Sequence, residues 1–420
     1  MRRTIKVGAS AASLALLLAA CSSGDDTTTE TASSAPPAVQ GGELVIWADE
    51  VRTPPLQKLC EEWATSNGVT CTVVQKDYGK VKDDFKTQGP AGKGPDLIVY
   101  AHDAIGDLVQ SGLITEVDLG AKAGEFEAVA VKAMNFGGKN YGMPYAVENI
   151  ALLTNKELSP ECPATMEDLT EAAEANIADK TSNKGVGLGM QVGTAGDAYH
   201  WHPLYTAGGG YIFGTNADGS YNPADMGVGK EGSIAAAEKL AALEEAGVVS
   251  ASQTQDIAKE AFNTGKLAWW ITAPWNVTDA VKAGVDLQVC PVPTWSDGQT
   301  SSPMVGVQAM LLSAFSEANK VIAQTFLNEY VATEAFQDAM YAADPRPPAL
   351  TASLNKVTSD PIVAGFVEYG KQGIPQPNIV EMGAVWAELG LAQVDVLNGK
   401  DPADTMTTRG ENITKQIESL

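Results

Sequence analysis

Positive charge is scarce in this chain of 420 residues. It has 28 Lys and Arg against 52 Asp and Glu, a formal net charge of −24 at pH 7, and its basic residues form no cluster. Because nucleic acid is itself a dense polyanion, a chain of this charge is not expected to bind it. The same acidity argues against direct adsorption to anionic lipid surfaces.

Sequence patterns that serve nucleotide and metal sites are also missing. No GxxxxGK[ST] motif occurs, which excludes a P-loop ATPase. Residues 227–232 match G-x-G-x-x-G, but the polar segment 222–225 before them is no apolar strand, so we reject a dinucleotide site. No CxxC pair occurs, so a zinc site is not expected, and we predict no cofactor. His200-x-His202 could give two metal ligands from a strand, but His102 is the only other histidine, and we favour aromatic lining of a pocket.

An apolar run long enough to cross a bilayer is missing as well, since no stretch of 18 such residues follows Cys21. The N-terminus instead indicates export: three basic residues precede a short apolar segment, 7–20, that ends in Leu-Ala-Ala before Cys21 and resembles a bacterial lipobox. We predict a lipoprotein signal peptide over 1–20 and a disordered tether over 21–42, anchored outside the cytoplasm by lipid on Cys21 alone. A plain signal peptide is the alternative, and Sec and Tat export both remain open.

Four cysteines remain beyond the lipobox. An even number in an exported chain predicts disulfides, with three connectivities open. Cys60 falls in a predicted helix and Cys71 in the next strand, so a hairpin-like return of the chain favours that pair and leaves Cys162 with Cys290. Free buried thiols are the alternative.

The stretch from Lys93 to Leu113 sets the organisation of the chain. Residues 97–100 are an apolar, partly β-branched run that predicts a buried strand, and a helix pattern follows it. Ligands of open α/β sheets bind at the carboxyl ends of strands. Tyr100, His102 and Asp103 are therefore placed where a ligand would lie, although Asp103 could instead be the N-cap of the helix.

Other apolar runs extend this pattern. Strands over 44–47 and 69–74, separated by a helix, predict β–α units on a mainly parallel sheet. A helix with capping-box character opens at Thr165. Further strands are predicted over 141–153, 185–192, 267–271, 285–292 and 305–312, and further helices over 233–246, 318–331 and 334–342.

Several short motifs occur along the chain: Leu44-Val45-Ile46-Trp47, Tyr141-Gly142-Met143-Pro144 with Ala146-Val147-Glu148, Gly208-Gly209-Gly210-Tyr211, Ala273-Pro274-Trp275 and Pro377-Asn378-Ile379. In their order and spacing they resemble the maltose and maltodextrin-binding protein family, the solute-binding proteins of carbohydrate ABC transporters. The resemblance runs from about Gly42 to the C-terminus and implies an α/β fold of the periplasmic-binding-protein type, with two lobes joined by a multi-strand hinge. The implied N-lobe is 43–147 with 308–347, and the implied C-lobe is 148–307 with 348–420.

A sugar site needs aromatic faces for the apolar C–H surfaces of the rings and hydrogen-bonding groups for their hydroxyls. The residues that match the family's site by position are Glu50, Arg52, Asp83, Tyr100, Asp103, Glu148, Asp197, Tyr199, Trp275 and Trp386. Three family side chains are missing, because Ala104, Ala387 and Gly390 stand in place of an arginine, a tyrosine and an arginine. We therefore expect longer maltodextrins to bind more tightly than maltose.

The resemblance implies a monomeric, non-enzymatic lipoprotein that closes two lobes around a maltodextrin-type oligosaccharide and delivers it to ABC-transporter permease subunits. Trehalose, sucrose or a cyclodextrin in the same role is the first alternative. A secreted glycoside hydrolase is the second, and it would need two carboxylates about 5–10 Å apart across a glycosidic bond.

Overall fold

The computed structural model describes residues 41–178, 187–217 and 219–420. The predicted signal peptide, Cys21 and nearly all of the predicted tether lie outside these residues. Fifteen α-helices are found in the described part of the chain: α1 (Thr53–Asn67), α2 (Tyr78–Gln88), α3 (Ile105–Gln110), α4 (Ala128–Met134), α5 (Met166–Ala178), α6 (Ala198–Ala207), α7 (Glu231–Glu245), α8 (Gln255–Asn263), α9 (Val277–Lys282), α10 (Lys320–Phe326), α11 (Glu334–Ala343), α12 (Thr351–Val357), α13 (Pro361–Gly370), α14 (Met382–Leu397) and α15 (Pro402–Ile417).

The strands of the described residues are mostly short. They are β1 (Glu43–Ala48), β2 (Thr70–Gln75), β3 (Leu97–Ala101), β4 (Asn135–Phe136), β5 (Lys139–Asn140), β6 (Gly142–Asn149), β7 (Ala151–Asn155), β8 (Leu188–Gly189), β9 (Phe213–Thr215), β10 (Tyr221–Met226), β11 (Trp269–Thr272), β12 (Leu287–Cys290), β13 (Met304–Leu312) and β14 (Ile374–Pro375). None of the described helices is both long enough and apolar enough to span a membrane.

Two sheets carry the fold. The larger follows the order β14-β13-β3-β1-β2, with β6 also paired to β13, and the smaller follows β12-β7-β11-β8. β1 pairs with β2 and β3 in parallel, as the predicted β–α units require. β13 runs antiparallel to β3 and β6, so the larger sheet is mixed rather than mainly parallel. This strand reverses the direction because it enters the sheet from the other half of the molecule.

Each sheet has its own hydrophobic core, and we call the two halves the N-lobe and the C-lobe. The N-lobe core combines side chains from 44–146 with others from 307–350. The C-lobe core combines side chains from 150–304 with others from 366–413. The chain therefore crosses between the two cores three times. It crosses after β6, along β13, and in the segment between Leu350 and α13.

Most predicted elements are present, with shifted ends. The helix that opens at Thr165 has the expected capping box, since Asp168 N donates to Thr165 Oγ1 and Thr165 N donates to Asp168 Oδ2, each at 3.1 Å. The strand predicted over 185–192 is wrong in extent: its first two residues lie outside the described part, and only Leu188–Gly189 pairs, with β11. Beyond it, Met190 and Val192 are buried in the C-lobe core without pairing to a strand, so hydrophobicity there reflects burial rather than a strand.

The structure pairs the four cysteines in the expected way, with one pair in each lobe. Cys60 on α1 lies against Cys71 on β2, with Cα atoms 5.8 Å apart. Cys162, in the loop before α5, lies against Cys290 on β12, with Cα atoms 5.7 Å apart. Both separations suit a disulfide.

Candidate ligand-binding site

A cavity of about 810 Å³ opens between the two lobes, at the carboxyl ends of β1 and β3. This is the edge of the sheet at which α/β folds bind ligands. Both lobes and two of the segments between them supply its wall. Its polar and aromatic lining consists of Asp49, Glu50, Arg52, Tyr78, Tyr100, Asp103, Glu148, Gln191, Tyr199, His200, Gln255, Lys259, Trp275, Asn276, Thr278, Asp279, Lys282, Gln308, Asp344, Arg346 and Gln376.

Asp49 and Arg52 form the first charged pair of the wall, at the turn between β1 and α1. The Asp49 carboxylate accepts hydrogen bonds from the backbone N–H groups of Val51 and Arg52, at 3.0 and 2.9 Å, and pairs with the Arg52 guanidinium. Arg52 Nε also lies 3.9 Å from Asp344 Oδ2. Both members are buried, so each needs the charge of the other.

Arg346 is the centre of a second charged group. It lies on the segment after α11, where it forms ion pairs with Glu148 on β6 and with Asp344. Glu148 Oε1 also accepts a 2.8 Å hydrogen bond from Gln308 Nε2 on β13. The guanidinium carbon of Arg346 lies 5.3 Å from the centre of the Trp275 ring, within cation–π range. Arg346 thus ties the acids Glu148 and Asp344 to an aromatic side chain of the C-lobe.

Two aromatic pairs line the same cavity. Tyr78 and Tyr100 stack in the N-lobe, with ring centres 4.9 Å apart and planes within 10°. Tyr199 and Trp275 lie nearly parallel in the C-lobe, with ring centres 6.5 Å apart and planes within 20°. Flat rings held in fixed orientations offer extended apolar faces inside a wall that is otherwise polar.

Several buried polar atoms of the wall have no hydrogen-bond partner among the described residues. They include the Tyr199 hydroxyl, Gln191 Oε1 and Gln308 Oε1. Because Gln308 Nε2 already donates to Glu148, its free atom is the carbonyl oxygen, an acceptor. Such atoms are costly to bury unless a ligand completes their hydrogen bonds.

Asp103 is the titratable group most affected by this environment. Burial raises the pKa of its carboxyl to about 6, and the positive charge of Lys82 opposes this shift in part. The N-cap position of α3 is occupied by Ala104 and no side chain caps that helix, so the alternative of Asp103 as its N-cap is wrong. The carboxyl faces the cavity, where it can accept hydrogen bonds from a ligand.

Seven of the ten residues picked from the sequence line this cavity: Glu50, Arg52, Tyr100, Asp103, Glu148, Tyr199 and Trp275. Asp83 does not; it is exposed on α2, and its charge contributes to the raised pKa of Tyr100. Trp386, on α14, lines a separate cleft of about 310 Å³ that shares Asp103 with the main cavity, and its indole bonds the Asp103 carboxyl.

Asp197 also lies outside the cavity wall. It is the N-cap of α6, where Oδ1 accepts the backbone N–H of His200 at 2.9 Å and Oδ2 lies 2.9 Å from His200 Nδ1. Burial alone would raise the pKa of Asp197, but the neighbouring His200 imidazole and the backbone N–H groups at the start of α6 lower it below its usual range. Its oxygens are therefore already committed within the protein.

His102, which the sequence places beside the ligand, is buried behind the site instead. Its Nε2 donates to the Gln376 carbonyl at 3.0 Å, and its Nδ1 accepts from Val307 N at 3.1 Å. Burial lowers its pKa to about 4, so the ring is neutral at pH 7. His102 connects the end of β3 to two segments that run between the lobes.

Gly390 has a structural reason to lack a side chain. A Cβ on Gly390 would lie 2.8 Å from the Ala195 carbonyl oxygen, and Gly196, with φ of 71°, packs against the same backbone. The arginine that the family resemblance implies here cannot fit without moving that loop. The departure is thus built into the packing of α14 on the loop before α6.

The structure adds residues that the sequence did not single out, above all Tyr78, Gln308 and Arg346. Tyr78 follows the end of β2, so the rule of carboxyl ends could have found it. Arg346 lies in the proline-rich segment 344–348, which forms no helix or strand of its own. Its role depends on contacts with β6 and Trp275 that no local pattern reveals.

A larger groove, of about 1170 Å³, lies between α4, the β4–β5 hairpin and the segment near Gln376. Its described lining includes Lys132 but no carboxylate, and its aromatic residues form no stacked pair. Charged and stacked aromatic groups converge in the smaller cavity, which is therefore the candidate site.

A two-lobed α/β fold with a polar, aromatic cavity between the lobes defines a solute-binding protein. The chain belongs to the bacterial extracellular solute-binding protein family, whose model matches residues 58–365. It is 29% identical over 390 residues to the galactooligosaccharide-binding protein of Bacillus subtilis, covering 90% of each chain. It is 28% identical to a maltodextrin-binding protein of Bacillus subtilis over 89% of each chain. It is 26% identical to a maltooligosaccharide ABC transporter solute-binding lipoprotein of Streptococcus pneumoniae, over 89% of this chain and 88% of that one.

Solved structures of similar proteins share this fold over nearly their whole length. A cyclo/maltodextrin-binding protein in complex with maltotetraose has a TM-score of 0.77 and 28% identity, over 92% of this chain and 99% of that chain. The maltotriose-binding protein of Thermus thermophilus, bound to maltotriose, has a TM-score of 0.79 and 27% identity, over 89% of this chain and 100% of that chain.

Proposed function

We propose that this protein captures a maltodextrin-type α-glucan oligosaccharide in the cavity between its lobes and delivers it to the permease of an ABC transporter. The observation that carries the proposal is the convergence, in one interlobe cavity, of flat aromatic faces with free hydrogen-bond acceptors. The ten residues picked from the sequence remain the proposed ligand-binding set, with Asp83 and Asp197 acting from outside the cavity wall and Trp386 from the adjoining cleft.

The chemistry of the wall favours a neutral polyol over a charged ligand. Both buried arginines are paired with carboxylates, so neither guanidinium is free to hold an anion. The unpartnered Gln308 oxygen and the Asp103 carboxylate both accept hydrogen bonds. A sugar offers many hydroxyl donors together with C–H faces that pack on Trp275 and Tyr199.

Binding without catalysis is supported by the way the acids are used. Glu148 is engaged by Arg346 and Gln308, which leaves it poorly placed to exchange protons with a glycosidic oxygen. The similar proteins named above are binding proteins rather than enzymes. Overnight incubation with maltotetraose followed by thin-layer chromatography tests this point, and the appearance of glucose or maltose would favour the glycoside hydrolase alternative.

A galactooligosaccharide is the second candidate ligand, because the Bacillus subtilis relative that binds one is 29% identical over 90% of this chain. Calorimetry with maltose, maltotriose, maltotetraose, trehalose, sucrose, a cyclodextrin and a β-galactotetraose separates the candidates. We expect heat with the α-1,4-glucans, and tighter binding of maltotetraose than of maltose. If only the galactooligosaccharide gives heat, it replaces the maltodextrin as the proposed ligand. If a folded protein gives heat with none of these sugars, the proposal of sugar capture is wrong.

The proposal includes the anchor and the lobes predicted from the sequence. A lipid on Cys21, at the head of the tether 21–42, would hold a monomer at the outer face of the cell membrane. The pneumococcal relative is a lipoprotein. The lobe boundaries stay at 43–147 with 308–347 and 148–307 with 348–420. After cell lysis the protein should sediment with membranes, and the Cys21→Ala variant should be released or left unprocessed. Normal processing and retention of that variant would contradict the anchor.

A further inference from the structure

His200 is a polar side chain in a place where an apolar ring would fill the same space. It lines the cavity and is 4% exposed, yet its Nε2 has no hydrogen-bond partner among the described residues. Burying an unpaired ring nitrogen costs free energy that a phenylalanine would not incur. The packing of α6 therefore does not explain why a histidine stands here.

The imidazole is held in one orientation by its surroundings. Nδ1 lies 2.9 Å from Asp197 Oδ2, and the same Asp197 caps α6, so the carboxylate is itself fixed. Edge-to-face contacts hold the other sides of the ring, with centres 5.9 Å from Tyr199 and 6.0 Å from Trp275 and planes near 80° to both. A carboxylate beside one ring nitrogen favours the tautomer with its proton on that nitrogen, which here is Nδ1.

We propose that His200 is a ligand contact whose unprotonated Nε2 accepts a hydrogen bond from a ligand hydroxyl, with Asp197 as the residue that positions it. The inference rests on the proposed function and identifies one more group that selects a polyol. The Tyr199 hydroxyl and Gln191 Oε1 are also unpartnered on this wall. A sugar ring packed on Trp275 would bring its rim of hydroxyls beside the edge of the His200 ring.

The arrangement also accounts for Asp197. The sequence predicts that this acid contacts the sugar, but its oxygens are occupied by His200 and by the start of α6. Asp197 would influence the ligand only through the imidazole of His200, whose acceptor nitrogen reaches from the first turn of α6 into the cavity. Asp197 is therefore a positioning residue and His200 is the contact.

The three histidines of the chain make a direct test practical by nuclear magnetic resonance of protein labelled with ¹⁵N-histidine. Burial lowers the pKa of both His102 and His202 to about 4, so both are neutral references at pH 7.5. His102 donates from Nε2 to Gln376 O, and His202 donates from Nδ1 to Ser302 O at 2.9 Å. His200 should carry its proton on Nδ1, and its Nε2 resonance alone should move when maltotetraose, or the tetrasaccharide that binds in its place, is added.

Two substitutions complete the test in calorimetry with the same sugar. His200→Phe keeps a flat ring but removes the acceptor, and should weaken binding about tenfold, the usual effect of one hydrogen bond. His200→Gln places an amide near Nε2 and should bind within about threefold of wild type. A merely structural role predicts the opposite order, because phenylalanine preserves the packing better than glutamine.

The results separate this inference from the function on which it rests. If no sugar of the panel binds, capture of a sugar fails and the contact fails with it. If a sugar binds, but His200→Phe binds it as tightly as wild type or the free protein carries a proton on Nε2, the contact alone is overturned. The resonance measurement needs only wild-type protein, so it decides the question even if a variant fails to fold.

Discussion

The two halves of the cavity wall use their polar groups in different ways. On the N-lobe side and the hinge segments, three buried carboxylates and two guanidinium groups pair with one another: Asp49, Glu148 and Asp344 with Arg52 and Arg346. On the C-lobe side, Tyr199, His200 and Gln191 leave buried polar atoms unpaired beside the Trp275 ring. The charged groups of the first half are satisfied by ion pairs, and its unpaired atoms include the amide oxygens of Gln308 and Gln376, whereas the second half has unpaired atoms on three side chains beside an aromatic face.

Because of this difference, residues in the two halves of the wall should differ in how readily they can be substituted. A charge network that crosses from β1 to the segment after α11 cannot change one member without leaving another charge buried and alone. The unpaired groups of the C-lobe wall can change at a smaller cost, because none of them is a member of that network. We therefore expect ligand preference to be determined mainly by the C-lobe wall, and the shape of the site by the N-lobe wall.

The largest expected contrast between the lobes lies in their disulfides. The N-lobe pair encloses a sequence separation of 11 residues, and the C-lobe pair encloses 128. In the chain-entropy description, removing the first should cost about 3 kcal/mol and removing the second about 5 kcal/mol. Urea unfolding of a Cys60→Ala/Cys71→Ala variant and a Cys162→Ala/Cys290→Ala variant measures both.

The thiol state of the wild type must be known before these variants are compared. Alkylation of the non-reduced mature protein followed by mass spectrometry should find no free thiol among the four cysteines. Four alkylated thiols would show that neither disulfide forms, and two would show that one of them does not. Equal losses of stability in the two variants would contradict the dependence on loop length.

The second contrast sets a buried charge network against a surface ion pair. Arg346→Met leaves Glu148 and Asp344 without their shared partner, and should lower the free energy of unfolding by about 3–5 kcal/mol. Lys371→Met breaks the exposed pair with Glu368 on α13, and should cost about 0–1 kcal/mol. Adding Glu148→Gln to the Arg346 variant should restore part of the loss, because it removes one of the stranded charges.

Equal effects of Arg346→Met and Lys371→Met on urea unfolding would show that the buried network contributes no more than the surface pair. The paired charges of the N-lobe wall would then be no more important for stability than charges on the surface, and the two halves of the wall would not differ in the way described.

The sequence predicts the framework of the site better than the contacts within it. Apolar runs with polar ends located β1 and β3, because burial and strand ends leave local patterns, whereas Glu148 was identified by the resemblance to the family. Arg346 was missed because its partners come from β6 and from the C-lobe, far along the chain. Asp197 did carry a local signal, since an Asp before a helix is a common N-cap, but the resemblance to a family directed attention to its ligand role.

The third contrast concerns the two indoles, Trp275 in the main cavity and Trp386 in the adjoining cleft. Trp275→Ala removes a face on which any bound sugar should stack, and should cost about 2–4 kcal/mol of binding free energy for maltose and maltotetraose alike. Trp386→Ala should cost as much for maltotetraose but little for maltose, which would not reach beyond Asp103. Calorimetry of both variants with both sugars gives the four values, and equal losses for Trp386→Ala would place both indoles in one site.

The smallest effect, and the finest test of the acceptors, is the pH dependence that Asp103 confers. Its carboxyl has a pKa raised to about 6 by burial, so the free protein loses stability as pH rises from about 4 to about 6, where the unfolded chain has already released this proton. Binding should show the opposite trend, because a ligand hydroxyl donates to the ionised carboxylate. Affinity for maltotetraose should be constant above pH 7 and should fall about tenfold for each unit below pH 6. Asp103→Asn keeps the shape without the proton, so calorimetry at pH 7.5 and pH 5 should give equal affinities for this variant. An affinity of the wild type that does not change between these values would show that Asp103 stays ionised, or that it faces the cavity without touching the sugar.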